Sequence, residues 1–159
     1  LSGVTGVVQG TSGLAILDNT IGLTAAYDMT FSIPATNQTS LSLCTDTNPA
    51  INTITCHNAC GPGVDLAAPG NAIYAPTSTG GAFDLTPHNM INSYYGSSAA
   101  TAHAAGAAAL IKAKNPSYSA ADVLNFLAST AILPPGETDP YNCYGAGNIQ
   151  VMDALNMAP

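Results

Sequence analysis

Positive charge is scarce in this chain. Its 159 residues include only two Lys and Arg against nine Asp and Glu, for a formal net charge of −7. An acidic surface without a basic run repels nucleic acid and anionic membranes, so the sequence excludes both as partners. Lys112 and Lys114 lie near the end of a predicted helix, where positive charge complements the helix dipole. We therefore assign both lysines a structural role.

Long hydrophobic runs are also missing. The longest apolar stretch, residues 99–111, is too short to cross a bilayer and contains Thr101 and His103. The sequence has no initiator Met and no secretory leader, so we expect a matured piece of a longer polypeptide. Hydrophobic residues make up 47% of the chain, enough to bury the core of a single domain over residues 1–159.

Cysteine occurs four times, as Cys44, Cys56, Cys60 and Cys143, and never in paired C-x-x-C spacing. An even number in an acidic chain rich in Ser and Thr favours two disulfides with three possible pairings, and a four-cysteine zinc site is the alternative. The polar stretch 37–63 is predicted to be a long loop tied down by such disulfides.

Asn37 begins an N-glycosylation sequon, Asn37-Gln38-Thr39, which applies if the source is eukaryotic. Together with the disulfides, it indicates a secreted, extracellular protein.

The local patterns predict an α/β protein, with a small parallel sheet flanked by helices. Short apolar runs predict strands over residues 4–8, 30–36 and 64–67, and a hairpin from residues 73–74 to 91–95. Helices are predicted over residues 98–114, about 120–130 and 151–157. A sheet this small exposes unpaired strand edges and apolar surface, so we expect a tight partner.

The helix over 98–114 is apolar on every side, which predicts that it runs through the middle of the protein. Pro116 ends it, because proline disfavours helix in the residue before it. Ser119 and Asp122 form a variant capping box at the start of the next helix. The predicted buried stripe of that helix is Val123, Leu124 and Leu127.

Ser98 lies where a loop turns into the first helix, among small residues. One interpretation is an N-cap, because serine is a preferred capping residue. The other is a nucleophile, because unpaired N–H groups at a helix N-terminus stabilise an oxyanion nearby. His103 lies about 140° around and about 7.5 Å along the helix from Ser98 and cannot face its hydroxyl, so we expect a buried structural histidine. No spacing argument brings His57 or His88 to Ser98.

Residues 96–106, GSSAATAHAAG, resemble the nucleophile motif of the subtilisin-like serine proteases, G-T-S-x-A-T-P-H-V-A-G, with Ser98 as the nucleophile. Residues 64–70, VDLAAPG, are similar to the family's V-D-L-x-A-P-G strand and turn. Residues 115–123 and 144–149 resemble its N-P-x-L-S-x-x-x-V and closing G-x-G-x-V segments. The resemblance implies the C-terminal half of the family's three-layer α/β catalytic domain.

The same resemblance implies an incomplete site. The family's nucleophile works with an Asp and a His from the first half of the domain, and that half is missing here. The oxyanion segment appears in degenerate form as residues 9–13, with Thr11 where the family has Asn. Residues 25–30 resemble a loop that the family uses for calcium, which makes calcium the one cofactor implied. No carboxylate cluster accompanies that loop, so no metal ligand is assigned.

Two function classes follow. The first is the C-terminal part of a secreted subtilisin-like serine endopeptidase, in which Ser98 attacks peptide substrates. Its Asp and His would then come from a complementary N-terminal half chain, and this chain alone would be inactive. The second is a catalytically inactive pseudo-protease that serves as a structural, binding or self-assembling scaffold, with copies of itself as partners.

Overall fold

The computed structural model describes residues 20–27, 50–56, 58–71, 73–76, 78–79, 82–83, 90–94, 96–139 and 141–159. The strands there are β1 (Leu23–Ala26), β2 (Leu66–Pro69), β3 (Ile73–Pro76), β4 (Ser78–Thr79), β5 (Ala82–Phe83) and β6 (Met90–Tyr94). The helices are α1 (Ser97–Lys114), α2 (Ala120–Thr130) and α3 (Val151–Met157). The predicted strands over 4–8 and 30–36 lie outside the described residues.

β1 and β2 form a parallel pair in which Leu23 lies opposite Leu66. Asn148 adds an isolated parallel bridge to Ala67, on β2. β2 begins and ends two residues later than the predicted strand over 64–67. β1 is absent from the strands that the sequence predicts, because its LTAA sequence carries one β-branched residue and no alternation of polar and apolar positions. Such alternation is lost where both faces of a parallel sheet are covered.

The predicted hairpin is confirmed. β3 pairs antiparallel with β6, with Ile73 opposite Tyr94 and Pro76 opposite Met90. A smaller antiparallel pair, β4 and β5, lies between them in the sequence. The hairpin leads from the end of the parallel pair directly into α1.

Small side chains bring α1 close to the parallel pair. Its buried positions recur at helical spacing, as Ala100, Ala104, Ala107 and Ile111. They belong to one core cluster with Ala25, Leu66 and Ala68. The opposite face of α1 is exposed, and Leu110 on it is 53% exposed. The prediction that α1 is covered on every side is therefore wrong for this chain.

The capping box of α2 is confirmed. Ser119 Oγ accepts the Asp122 N–H at 3.1 Å, and Asp122 Oδ2 accepts the Ser119 N–H at 2.7 Å. The hydroxyl and the N–H of Ser119 lower the pKa of Asp122 from its ordinary value of 3.8. Val123 and Leu127 are buried and Leu124 is half-buried, as the predicted stripe requires.

The two lysines tie the end of α1 to neighbouring backbone carbonyls. Lys112 Nζ donates to the carbonyls of Pro116 and Tyr118 beyond the end of α1, and Lys114 Nζ donates to the Leu155 carbonyl in α3 at 2.8 Å. These contacts agree with the structural role inferred from sequence. Among the described helices, none is long and apolar enough to cross a membrane.

Cys60 and Cys143 form a disulfide that joins positions 83 residues apart. Both cysteines are buried. Of the three possible pairings of the four cysteines, this bond agrees with the one that joins Cys60 to Cys143. A four-cysteine zinc site is excluded, because these two cysteines are bonded to each other. Cys56 is disulfide-bonded as well, and Cys44 lies outside the described residues.

Candidate active site

Ser98 is the second residue of α1, and its side chain is exposed. The N-cap of α1 is Gly96, which has φ 104° and makes no side-chain cap hydrogen bond. The interpretation of Ser98 as an N-cap is therefore wrong. A glycine takes the capping position because its positive φ strains residues with a side chain. The Ser98 hydroxyl is thereby left in the first turn and is not used to cap the helix.

Gly70 fixes where α1 begins. Its carbonyl accepts the Gly96 N–H at 2.7 Å, and its own N–H donates to the Ala26 carbonyl at 2.9 Å. A Cβ at residue 70 would lie 2.5 Å from the Ala25 Cβ and 2.9 Å from the Gly96 carbonyl oxygen. Only glycine fits there without displacing β1 or the start of α1. The A-P-G turn thus holds the N-terminus of α1 against the carboxyl ends of β1 and β2.

The electrostatic setting of Ser98 suits a developing negative charge. Within the described ranges, the N–H groups of Ser97 and Ser98 have no hydrogen-bond acceptor. The first turn holds no acidic residue, while Lys112 and Lys114 lie in the last turn. The helix dipole therefore presents its positive end at Ser98. Crevices at the carboxyl ends of parallel strands are where α/β proteins bind ligands.

His103 is exposed, which corrects the prediction of a buried histidine. Its Nδ1 lies 3.0 Å from the Ala99 carbonyl oxygen, one turn back along α1. The ring reaches its own helix, so its role is structural although it is not buried. His57, His88 and Thr11 lie outside the described residues. Of the two predicted catalytic and oxyanion residues, Ser98 lies within the described residues and Thr11 does not.

Two glycines explain the closing G-x-G segment. A Cβ at Gly145, where φ is 59°, would lie 2.2 Å from the backbone of Asp65, and a Cβ at Gly147 would lie 2.6 Å from the backbone of Ile132. The segment runs so close to its neighbours that no side chain fits. Asp65 Oδ2 accepts the Gly22 N–H at 2.7 Å, as expected of an ordinary strand-end carboxylate.

Asp139 organises the disulfide segment, a role for which the sequence gives no signal. Its two carboxylate oxygens accept the N–H groups of Cys143 at 2.6 Å and Tyr144 at 2.8 Å. The Tyr144 hydroxyl in turn accepts the Ile54 N–H at 3.2 Å. Burial raises the pKa of Tyr144 above its ordinary value of 10.0. The loop before β2 and the closing segment are thereby joined by hydrogen bonds as well as by the disulfide.

Metal ligands are not concentrated near this site. In the described part of the chain, no three His, Cys, Asp or Glu side chains lie close enough together to hold a metal ion. The loop that resembles a calcium site, residues 25–30, is described only as far as Tyr27. The glycosylation residue Asn37 also lies outside the described residues.

Two buried carboxamides near the strand ends were not among the predicted site residues. Asn58 binds the backbone of β1 through both of its polar atoms. Asn71, directly after Gly70, is 2% exposed, and its Nδ2 has no hydrogen-bond partner among the described residues. An Asn in a loop is ordinarily read as a turn residue, so sequence alone gives neither role.

The described chain is an α/β fold in which an exposed serine lies at the start of a helix, beside the carboxyl ends of two parallel strands. The model of the subtilase family matches residues 16–147, and the chain therefore belongs to that family of subtilisin-like serine proteases. The family resemblance of its sequence motifs is confirmed. Subtilisin DY of Bacillus licheniformis is 34% identical over 126 residues, which cover 77% of this chain and 37% of that protein.

Solved structures agree on the fold. Fervidolysin from Fervidobacterium pennivorans, a keratinolytic enzyme related to subtilisin, matches 91% of this chain with a TM-score of 0.66 at 20% identity. A protease from Pseudoalteromonas arctica matches 92% of it with a TM-score of 0.59 at 21% identity. The match covers 20% of the first protein and 38% of the second. The chain likewise spans no more than 37% of the length of Subtilisin DY and 28% of Subtilisin Savinase from Lederbergia lenta.

Proposed function

We propose that Ser98 is the nucleophile of a subtilisin-like serine endopeptidase that cleaves peptide substrates. The observation that carries the proposal is the exposed hydroxyl in the first turn of α1, in a chain of the subtilase family. The N–H groups beside that hydroxyl have no acceptor within the described part of the chain. Family membership alone does not establish activity, because folds outlive their chemistry. The positive end of the α1 dipole at Ser98 supports the proposal, because it would stabilise an oxyanion there.

The proposed reaction forms an acyl-enzyme and then hydrolyses it, with the imidazole acting first as base and then as acid in each half. Ser98 Oγ attacks the scissile carbonyl carbon while its proton passes to the imidazole of a His, which an Asp orients. Both partners come from polypeptide outside the described residues. The tetrahedral oxyanion accepts hydrogen bonds from the Ser98 N–H and the Thr11 hydroxyl. The C–N bond then breaks, the amine takes the proton from the imidazolium, and water hydrolyses the acyl-enzyme by the same steps in reverse.

The exposed face of α1 supports the need for more polypeptide. Leu110 is 53% exposed there, and Ala102, Ala105, Ala109 and Ala113 are exposed beside it. We propose that this face packs against the part of the catalytic unit that carries Asp and His, either as a complementary chain or as a further stretch of the same polypeptide. Copies of this chain are the alternative occupant. Size-exclusion chromatography and intact mass of the natural material distinguish the three arrangements.

Secretion is part of the proposal. The buried disulfide between Cys60 and Cys143 supports it, because such bonds persist in oxidising compartments. Glycosylation at Asn37 belongs to the same proposal, and the mass of the natural protein before and after enzymatic deglycosylation tests it.

A serine-directed fluorophosphonate tests the nucleophile. Rapid labelling of the natural protein that maps to Ser98 is expected, and Ser98→Ala should abolish it. Ser97→Ala is the matched control, because Ser97 is the exposed neighbour in the same turn. Labelling should persist in that variant. The natural protein here includes the polypeptide that supplies Asp and His. If it resists the reagent, Ser98 is not activated and the scaffold function takes the place of the peptidase.

A further inference from the structure

Asn58 completes the hydrogen bonding of β1 in the manner of a neighbouring strand. Its Oδ1 accepts the Ala25 N–H at 2.9 Å, and its Nδ2 donates to the Ala25 carbonyl at 2.5 Å. A backbone N–H and C=O of one residue are ordinarily satisfied as a pair by an adjacent strand. Here the carboxamide, which is 6% exposed, satisfies the Ala25 N–H and shares the Ala25 carbonyl with the Thr55 N–H, which donates to it at 2.9 Å.

The orientation of this carboxamide is fixed by further contacts. Asn58 Nδ2 also donates to the Thr55 hydroxyl at 3.0 Å and to the Thr55 carbonyl at 3.2 Å. Three acceptors around one nitrogen exclude the flipped arrangement, in which oxygen would face oxygen. A buried carboxamide held in this way keeps the backbone of Ala25 at one position.

Ala25 is the contact through which this position reaches the start of α1. Its Cα and Cβ leave no room for a side chain at Gly70, whose carbonyl holds the Gly96 N–H at 2.7 Å. Gly96 in turn accepts the N–H groups of Ala99 and Ala100, which form the first turn of α1. Close-packed interiors transmit small displacements, so a shift of Ala25 moves that turn.

We infer that Asn58 is a positioning residue for the Ser98 hydroxyl, acting through Ala25, Gly70 and Gly96. The inference rests on the proposed function for the part that concerns nucleophilic attack. Its structural part, that Asn58 sets the start of α1, stands without it. Asn58 touches neither substrate nor the reacting atoms and is not itself catalytic.

The test compares Asn58→Leu with the natural protein in two measurements. The first is fluorophosphonate labelling of Ser98 over a range of reagent concentrations. The limiting rate should fall on the order of tenfold to a hundredfold, as misplaced reacting groups do, while the half-saturating concentration stays unchanged. The second is amide hydrogen exchange at Gly96, which should become faster by a similar factor.

Val123→Ala is the control, because it removes a buried apolar contact in α2 and leaves the hydrogen bonds of Asn58 intact. It should lower the free energy of unfolding, but it should neither slow the labelling of Ser98 nor speed up hydrogen exchange at the Gly96 amide. The inference would be overturned if Val123→Ala changed the labelling rate and Gly96 exchange as much as Asn58→Leu does. Unchanged exchange at Gly96 in a folded Asn58→Leu variant would also overturn it. If the natural protein does not label, the proposed function fails and Gly96 exchange alone decides. If Asn58→Leu does not fold, Asn58→Ser takes its place in both measurements.

Discussion

Gly70→Ala is the substitution that most directly tests how the start of α1 is held. The added methyl would lie 2.5 Å from the Ala25 Cβ, 2.9 Å from the Ala25 Cα and 2.9 Å from the Gly96 carbonyl oxygen. Two of these three neighbours are backbone atoms, which cannot rotate away. Overpacking of this kind costs about 1–3 kcal/mol, because the surrounding backbone has to shift. The shift falls on the hydrogen bond between Gly70 and Gly96, so Ser98 moves with it.

Gly106→Ala is the matched control for Gly70→Ala. Gly106 lies inside α1, and a Cβ there meets no atom within 4 Å. Alanine in a helix interior is favoured over glycine by about 0.5–1 kcal/mol, so this variant should be more stable than the natural protein. Both substitutions add one methyl group, but they should change stability in opposite directions.

Urea unfolding measures the two free-energy changes, and fluorophosphonate labelling measures the position of Ser98. Gly70→Ala should lower the unfolding midpoint and slow labelling at urea concentrations where the protein is still folded. Gly106→Ala should raise the midpoint and leave labelling unchanged. Natural stability and labelling in Gly70→Ala would refute the argument that the close approach of Ala25 to Gly70 sets the start of α1.

Further outcomes are expected elsewhere in the chain. Ser119→Ala should lower the free energy of unfolding by about 1 kcal/mol, measured in urea, because it removes the capping box of α2; an unchanged midpoint would contradict that role. Asn71→Leu should raise the free energy of unfolding by about 1–3 kcal/mol, since it removes a buried donor that has no partner among the described residues; a lower free energy of unfolding would show that Asn71 is satisfied. The contribution of Tyr144 to the free energy of unfolding should be fully present below pH 10.0. It should be lost as the pH rises through the higher pKa that Tyr144 has in the folded protein. Tyr144→Phe should flatten that alkaline slope, and an identical slope in both proteins would assign it to another group.

Features encoded by neighbouring residues were predictable from the sequence. The capping box from Ser119 to Asp122 depends on atoms three residues apart, and Pro116 acts on the residue directly before it. Both act within one turn of chain, so their signals are local. The closing G-x-G segment was recognisable as a motif, although the need for glycine became clear only from the approach of Asp65 to Gly145.

Features that depend on distant parts of the chain were not predictable. The serine at the start of α1 is a good capping residue by type, yet Gly96 takes the cap because the turn at Gly70 demands it. The alanine-rich sequence of α1 carries no polar stripe to mark its exposed side. β1 has the same difficulty, because short alanine-containing strands lack a period-2 pattern. The role of Asn58 arises from contacts to Ala25, 33 residues away in the sequence. The contacts of Asp139 are local, but they lie in an irregular loop with no recognisable motif.

The disulfide between Cys60 and Cys143 spans all of α1, including the chain's only two basic residues, Lys112 and Lys114. A digest with trypsin, which cuts after lysine, severs the backbone only inside that bridged loop. Autolytic cleavage within this loop would likewise leave the two pieces joined by the disulfide. A nicked molecule therefore travels as one covalent species under oxidising conditions, and a reducing agent releases the piece that begins at Asn115. Peptide mapping of modified Ser98 accordingly needs an enzyme that cuts beside aromatic or acidic residues.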